Sequence, residues 1–600
     1  MRYQSLLVVD EPQMGSSPGM ITLLFLVLAQ QVPQEVLVTG TYTPIPLEEA
    51  DRNVRVLAVE PIRLTSNTIA DLMKLDSSVD LRQRAGNALQ ADISIRGGGF
   101  GQTLVLVNGL RLNDAQSGHH NFDLPLPLEA LTRVEVLKGS GSTLYGSDAV
   151  GGVVNFITAA PETTEVRLRG ALGNFGVHQE RALVNYRKDL LTQQFSASRD
   201  FSTGFRPGRD YRNLSLASVT NFRKTGLILA HNDRPFGADQ FYGNANSWER
   251  TKTWFAGVQQ SFGEKTQAAF AFRRHTDLFV LHRYRQQPDA FTNRHAVESF
   301  QVNVRRAEDL GRNTRLHYGV EGYRDAIDSN NLGLRHRARG AGYAALDVRA
   351  LRRFSLSLGV RDEVWGSNNH EVSPSLAGGY WFSDKVKLRA SASRAFRLPT
   401  YTELYYRDPF TQGTATLRPE RAWTYEGGLD WVPASNLRTE VTLFQRREQN
   451  GIDFVRPSTA DVWRAANLAR LRFNGVEAVT RLKLRRQNEL TFSYTGLQGS
   501  RDALAGLISR YVFNYAQHQG IATWQATLPR GVSLRTRVGA LQRVDRAAYA
   551  VWDVYAAATR GRLRPFVQLT NLTAARYQEI PGVVMPGRAV VGGLEWIVYR

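Results

Sequence analysis

From about Glu165 to Arg600, polar and apolar residues alternate in segments of roughly 8–11 residues separated by turn residues, the period of half-exposed β-strands. In Lys385–Arg394 (KVKLRASASR), Val386, Leu388, Ala390 and Ala392 share one face, while Lys385, Lys387, Arg389, Ser391 and Ser393 share the other. Val532–Gln542 repeats the pattern, with Val532, Leu534, Val538 and Ala540 opposed to Ser533, Arg535 and Arg537, and Val476–Leu484 follows it less regularly. A soluble sandwich also alternates. Here, however, charge falls on one face so often, and persists so far, that a water-lined interior explains it better than a dry core.

The stretch Ile93–Thr158 has a different texture. Thr103–Val107 and Val134–Leu137 are runs of β-formers bounded by glycines, which predicts short buried strands. Val54–Val59 also alternates as a strand, and Thr65 or Ser66 is placed to cap a helix over Thr68–Lys74. Glycines at 97, 98, 99, 101, 109, 139, 141, 146, 151 and 152 punctuate this region as tight turns and close backbone approaches. Between its strands, Asn113–Phe122 (NDAQSGHHNF) reads as a polar loop.

Composition narrows the class. The 600 residues are 42% hydrophobic with a mean hydropathy of −0.32. No apolar run approaches the ~18 residues of a membrane helix, a test that β-barrels escape. Cysteine is absent, which excludes disulfides and thiolate metal sites. Seventy-five Lys and Arg against 55 Asp and Glu give a net charge of +20. The basic residues are dispersed over alternating segments and no recognition-helix, zinc-finger or RNA-binding signature is present, so nucleic acid is not expected as a partner. The Gly-x-Ser-x-Gly match at Gly15–Gly19 lacks the strand–turn–helix context of a nucleophile elbow, and His370-Glu371 fails the HExxH spacing. An enzyme is therefore not expected, nor a cofactor or a metal site. Ile21–Ala29 (ITLLFLVLA) fits the apolar core and small-residue end of a secretory signal, with Met20 as the expected start.

Several blocks occur in one order: Ile95-Arg96-Gly97, Leu104–Gly109, Arg133–Gly139 and Leu144–Asn155. Together they resemble the plug domain of TonB-dependent outer-membrane receptors. Phe396–Tyr405, Leu417–Glu420, Tyr425–Gly428, Asn474–Ala478, Asn571-Leu572-Thr573 with Tyr577, and Pro586-Gly587-Arg588 resemble blocks of that family's barrel. Arg600 follows Tyr599, where the family usually finishes on an aromatic. The resemblance implies an all-β transmembrane barrel of about 22 antiparallel strands, plugged by a small N-terminal α/β domain. Residues 165–600 allow ~20 residues for each strand and its connection, enough for spanning strands of ~9–11. The expected division is a leader and signal peptide over 1–29, a coupling segment over 30–48, a plug over 49–160 and a barrel over 161–600.

By the same resemblance Glu35, Val36, Leu37, Val38, Thr39 and Gly40 look like the TonB box, the segment engaged by the inner-membrane energy-coupling protein. An extended segment of this kind can add to a partner's sheet edge. The family's plug–barrel lock of two arginines and two glutamates maps onto Arg96, Arg133, Glu426 and Glu477. Ligand contacts are expected from Asn113, His119 and His120 on the plug apex. Outer loops would add Phe236, Phe241, Tyr242 and Trp248, and Tyr405, Tyr406 and Phe410; an interfacial aromatic girdle is the competing reading for these. The implied function is TonB-dependent import, by a monomer set among lipopolysaccharide, of a ferric siderophore or cobalamin. A haem receptor would carry a histidine between Pro399 and Leu417, where none occurs. A passive porin or adhesin would lack the plug and the box.

Overall fold

The computed structural model describes residues 36–600, except 38, 40–44, 88, 286–290, 352, 486–487 and 501–503. The expected leader and signal peptide, and Glu35, Val38 and Gly40 of the expected box, lie outside the described residues.

Twenty-two strands form a closed antiparallel barrel. Each pairs with its sequence neighbour, and the first, Glu165–Gly173, closes on the last, Ala589–Tyr599. At one end the chain reverses within a few residues, as between Lys188 and Leu191 or Phe222 and Thr225. At the other end the connections are longer, such as the one between Arg397 and Glu420 and the one between Thr570 and Ala589. Short turns mark the periplasmic end of an outer-membrane barrel and long loops the outer end. No helix among the described residues is long and apolar enough to cross a membrane.

The alternation read from the sequence becomes an inverted polarity. On strand Val386–Arg397, Leu388 is 42% exposed while Lys387 and Arg389 are buried. On strand Val532–Arg543, Val538 is exposed while Ser533 and Arg535 are buried. A soluble protein does the reverse. Outward Leu, Val, Phe, Trp and Tyr side chains meet lipid, and the inward charges are covered by the domain filling the lumen.

That domain is a mixed five-stranded sheet in the order Val54–Ala58, Arg133–Lys138, Gly152–Ile157, Thr103–Val107, Leu110–Arg111, with a separate hairpin of Val79–Gln83 and Ala91–Ile95. Thr103–Val107 and Gly152–Ile157 run parallel and are buried throughout. The plug core continues onto an apolar patch of the barrel wall formed by Ala217, Val219, Ile228, Ala230, Phe255, Ala269 and Ala271. There Gly257 admits Leu110, whose Cδ1 would lie 2.6 Å from a Cβ at that position. The expected helix spans Ile69–Met73, and its cap differs from the reading: Thr68 is the N-cap and its N–H donates to Asp71. The Thr65 and Ser66 hydroxyls instead donate to the Ile62 carbonyl.

Candidate functional site

Arg96 ends the strand Ala91–Ile95 with φ of 52°, which turns its side chain out of the plug toward the wall. Its Nε and Nη2 donate to Glu477 Oε1 and Oε2 at 2.7 and 2.8 Å, and Nη1 donates to Glu426 Oε1 at 2.8 Å. The guanidinium also lies 4.2 Å from the Phe444 ring centre. This two-pronged geometry is the arrangement that holds a buried arginine and carboxylate together. Burial alone would lower the Arg96 pKa; the two glutamates outweigh it and raise it. Gly139 is obligatory beside this group, since a Cβ there would lie 2.1 Å from Glu426 Oε1 and its φ is +75°.

Arg133 is not part of this group. Its Nε donates to Glu135 on its own strand at 2.8 Å, and its side chain is partly exposed. The second cation is Lys138, whose Nζ lies 3.6 Å from Glu477 and 3.2 Å from Asp76. Strand alternation separates the two, because Arg133 and Lys138 sit on opposite faces of Arg133–Lys138. Burial pushes the Asp76 carboxyl up, but Lys138 and Arg55 hold it down at about 2. Asn53 Nδ2 completes the set with a 3.0 Å bond to Glu477 Oε2.

Near the N-terminus the expected box has local partners, contrary to a segment extended and free. Val36–Leu37 pairs antiparallel with Ile45–Pro46. Thr39 is fully buried: its N–H donates to Glu135 Oε2 at 2.6 Å, and its hydroxyl accepts from Asn155 Nδ2 at 2.9 Å.

The expected ligand residues separate into different environments. Asn113 is a structural brace, accepting from Val105 N and donating to the Thr103 carbonyl. His120 is buried against Asp123 and Asp277 at the barrel wall. His119 stays near the apical surface, stacked on Phe100 at 4.1 Å and edge-on to Tyr511 at 5.5 Å, with Nδ1 2.7 Å from Asp92. Burial lowers the His119 pKa despite that carboxylate. Phe236 and Phe241 are buried with Ala85 and Leu89 of the plug, and the Tyr242 hydroxyl meets Glu249. Trp248 lies on the outward face, between the inward Ser247 and Glu249, in keeping with a girdle. Tyr405 and Tyr406 belong to a docked outer loop: Tyr401 N and Thr402 N of that loop donate to the carbonyls of Ala115 and Gln116 on the plug apex. The Tyr406 hydroxyl bonds Asp408, and Phe410 is exposed. The two aromatic groups thus fall in separate apolar clusters.

A cavity missed by sequence reasoning lies between plug residues 67–87 and the wall, beneath the loop that joins Thr570 to Ala589. Its volume is about 200 Å³, and Arg209, Tyr211, Arg543, Tyr549, Tyr577 and Glu579 are among its lining. Tyr577 lay within a quoted barrel block, but nothing in sequence spacing joins it to Tyr211.

The described geometry is a small mixed-sheet domain inside a closed barrel, paired to its wall through Arg96, Glu426 and Glu477. The family model for the "TonB dependent receptor-like, beta-barrel" matches residues 176–579, and the plug-domain model matches residues 46–153. The chain belongs to the TonB-dependent receptors. As a barrel of this family it is an outer-membrane protein. It is similar to the vitamin B12 transporter BtuB of Photobacterium profundum, 24% identical over 417 residues that cover 65% of this chain and 66% of that one. The BtuB of one Vibrio vulnificus strain is 23% identical over 442 residues, covering 66% and 68%. The matches therefore span about two thirds of these curated relatives. Among solved structures, the siderophore receptor PirA from Acinetobacter baumannii superimposes with a TM-score of 0.73 at 15% identity, covering 91% of this chain and 98% of that one. The ferric yersiniabactin uptake receptor FyuA from Yersinia pestis gives 0.72 at 15%, covering 92% and 98%. At these identities the structures establish the fold. The relatives are transporters and receptors, not enzymes.

Proposed function

We propose that this receptor actively imports a scarce chelate or cofactor, a ferric siderophore or cobalamin, across the outer membrane, with energy delivered by the inner-membrane TonB protein. The observation that carries the reading is a lumen filled by a plug and fastened to the wall through Arg96, Glu426, Glu477 and Lys138. Passage requires the plug to move, and leaving one charge of a buried pair without its partner costs about 3–5 kcal/mol. A passive porin has no use for such a fastening. The names of the similar transporters support cobalamin or a siderophore as the cargo class. The cavity beside the plug, about 200 Å³, is smaller than the ~300–1,000 Å³ typical of drug-sized ligand sites, so cargo enters with rearrangement of outer loops or plug.

In this reading Glu35–Gly40 is the coupling segment and has two states. In one, Val36–Leu37 is paired locally and Thr39 is pinned to Glu135 and Asn155. In the other it is free to add as a strand to TonB. Ligand capture outside favours the second state, which is a coupling between two sites. Arg96 and Lys138 act as the lock, His119, Phe100 and Tyr511 form an apical ligand floor, and the protein works as a monomer in a lipopolysaccharide leaflet. Deleting Glu35–Gly40 should abolish energised uptake of radiolabelled cargo into cells while leaving its binding to the purified receptor intact; normal accumulation by that variant contradicts the proposal. The cargo is identified by incubating purified receptor with a panel of ferric chelates and cobalamin and measuring which one co-purifies.

A further inference from the structure

Where the apical plug loop meets the wall, carboxylates and imidazoles are buried together. The plug supplies Asp114, His120 and Asp123; the barrel supplies Glu249, His275 and Asp277. His120 lies between two carboxylates, with Nδ1 3.3 Å from Asp123 Oδ2 and Nε2 3.4 Å from Asp277 Oδ2. His275 lies likewise between two, with Nδ1 2.8 Å from Asp114 Oδ2 and Nε2 3.5 Å from the same Asp123 Oδ2. His275 is fully buried, and neither of its ring nitrogens has the alignment of a hydrogen bond; Asp277 Oδ1 is also without a partner.

A neutral imidazole has one N–H and one lone pair. If the N–H of His120 serves Asp277 and that of His275 serves Asp114, both remaining lone pairs face Asp123 Oδ2. Three electron-rich atoms then converge, an arrangement that a cation would satisfy; in the other tautomer His120 Nδ1 donates to Asp123 Oδ2. The charges agree. Asp114, Asp123 and Asp277 carry three negative charges, while Arg273 on Asp114 and Arg234 on Asp123 supply two positive ones; Glu249, held by the Tyr242 hydroxyl and Gln90 rather than by a cation, stands outside this balance. Arg84 nearby is engaged by Asp92, and His295 by Ser329. One positive charge is missing, and either an imidazolium proton or a bound cation would supply it.

The geometry at His275 favours the ion, since neither of its nitrogens makes a hydrogen bond. Charge-assisted N–H···O bonds run about 2.7–2.9 Å. The Asp123 contacts, at 3.3 and 3.5 Å, are long for such bonds, as is the 3.4 Å contact of His120 with Asp277. They match the ligand-to-ligand edge of about 3.3 Å that follows from tetrahedral zinc with bonds of about 2.0–2.1 Å. The other nitrogen of each ring faces a carboxylate, the arrangement by which outer carboxylates orient metal-bound histidines.

We propose that His120, His275 and Asp123 bind one first-row divalent cation of the zinc class, oriented by Asp277 and Asp114, and that the ion ties the plug apex to the barrel wall. The sequence reading assigned no metal ligands, because no spacing in the chain connects His120 and Asp123 with a histidine of a barrel strand. The proposal does not depend on which cargo is imported.

The test uses the full-length receptor, purified in detergent, stripped with chelator and then equilibrated with Zn²⁺ alone. Elemental analysis after gel filtration should give about one zinc per chain. His120→Gln and His275→Gln should abolish retention, and Asp114→Asn should weaken affinity by about 10- to 100-fold, as loss of an outer-shell partner typically does. Heat-modifiable gel mobility reports whether each variant is folded. Zinc-edge X-ray absorption on the unmodified protein should show imidazole ligation, a readout independent of the variants. Folded wild type without stoichiometric zinc, zinc retained equally by both histidine variants, or an oxygen-only absorption spectrum would each overturn the assignment in favour of an imidazolium proton.

Discussion

Strand Val386–Arg397 in the wall and strand Thr103–Val107 in the plug divide their side chains in different ways. The first sends Leu388 outward and Lys387 and Arg389 inward; the second buries all five residues. The wall separates two solvents, lipid on one side and a polar interior on the other, so its two faces must differ. The plug strand has protein on both sides and neither solvent. What joins the regions is an apolar patch around Leu110 and Phe255, continuous with the plug core, alongside buried ion pairs such as Arg96–Glu477.

Removing one partner of such a pair should be the most damaging way to test this contrast. Arg96→Met leaves Glu426 and Glu477 facing each other in a dry site, and we expect a loss of about 3–5 kcal/mol in plug–barrel association. Denaturant-dependent proteolysis of the plug in the intact barrel measures it, and unchanged protection would show that the lock does not hold the plug. Next in size is a charge on the wrong face. Val302→Arg, on the outward face, should cost about 2–4 kcal/mol if the site lies near mid-bilayer, read by reversible folding into lipid vesicles. A negligible cost would place Val302 clear of the hydrocarbon. The smallest effect is expected from Arg133→Gln, because the Arg133–Glu135 pair is partly exposed and such pairs are worth about 0–1 kcal/mol. A loss as large as that of Arg96→Met would put Arg133 back in the lock.

These magnitudes follow what the sequence could and could not disclose. The wall was legible because its period is local: each strand states its own orientation, as Lys387 and Leu388 do. Thr103–Val107 was legible from its β-formers and bounding glycines. Arg96, Glu426 and Glu477 were reachable through family blocks alone, since 330 and 381 residues separate the arginine from its partners. Motif position marks Arg133, whereas the alternation of that strand sets Lys138 on the opposite face, toward Glu477. Ligand residues were least legible. Aromatic content marked Phe241 and Tyr405 equally, but Phe241 is buried against Leu89 of the plug whereas Tyr405 lies in a loop docked near Ala115. Composition carries no information about which plug residues a loop packs against.

The closure of the first strand on the last has a consequence for assembly. Glu595, on that last strand, binds Arg63 of the plug across 532 residues of chain. The final stitch of the cylinder therefore carries its own anchor for the domain inside. A chain arrested before residue 589 would leave two raw edges in the lipid and Arg63 with Glu60 alone as its carboxylate.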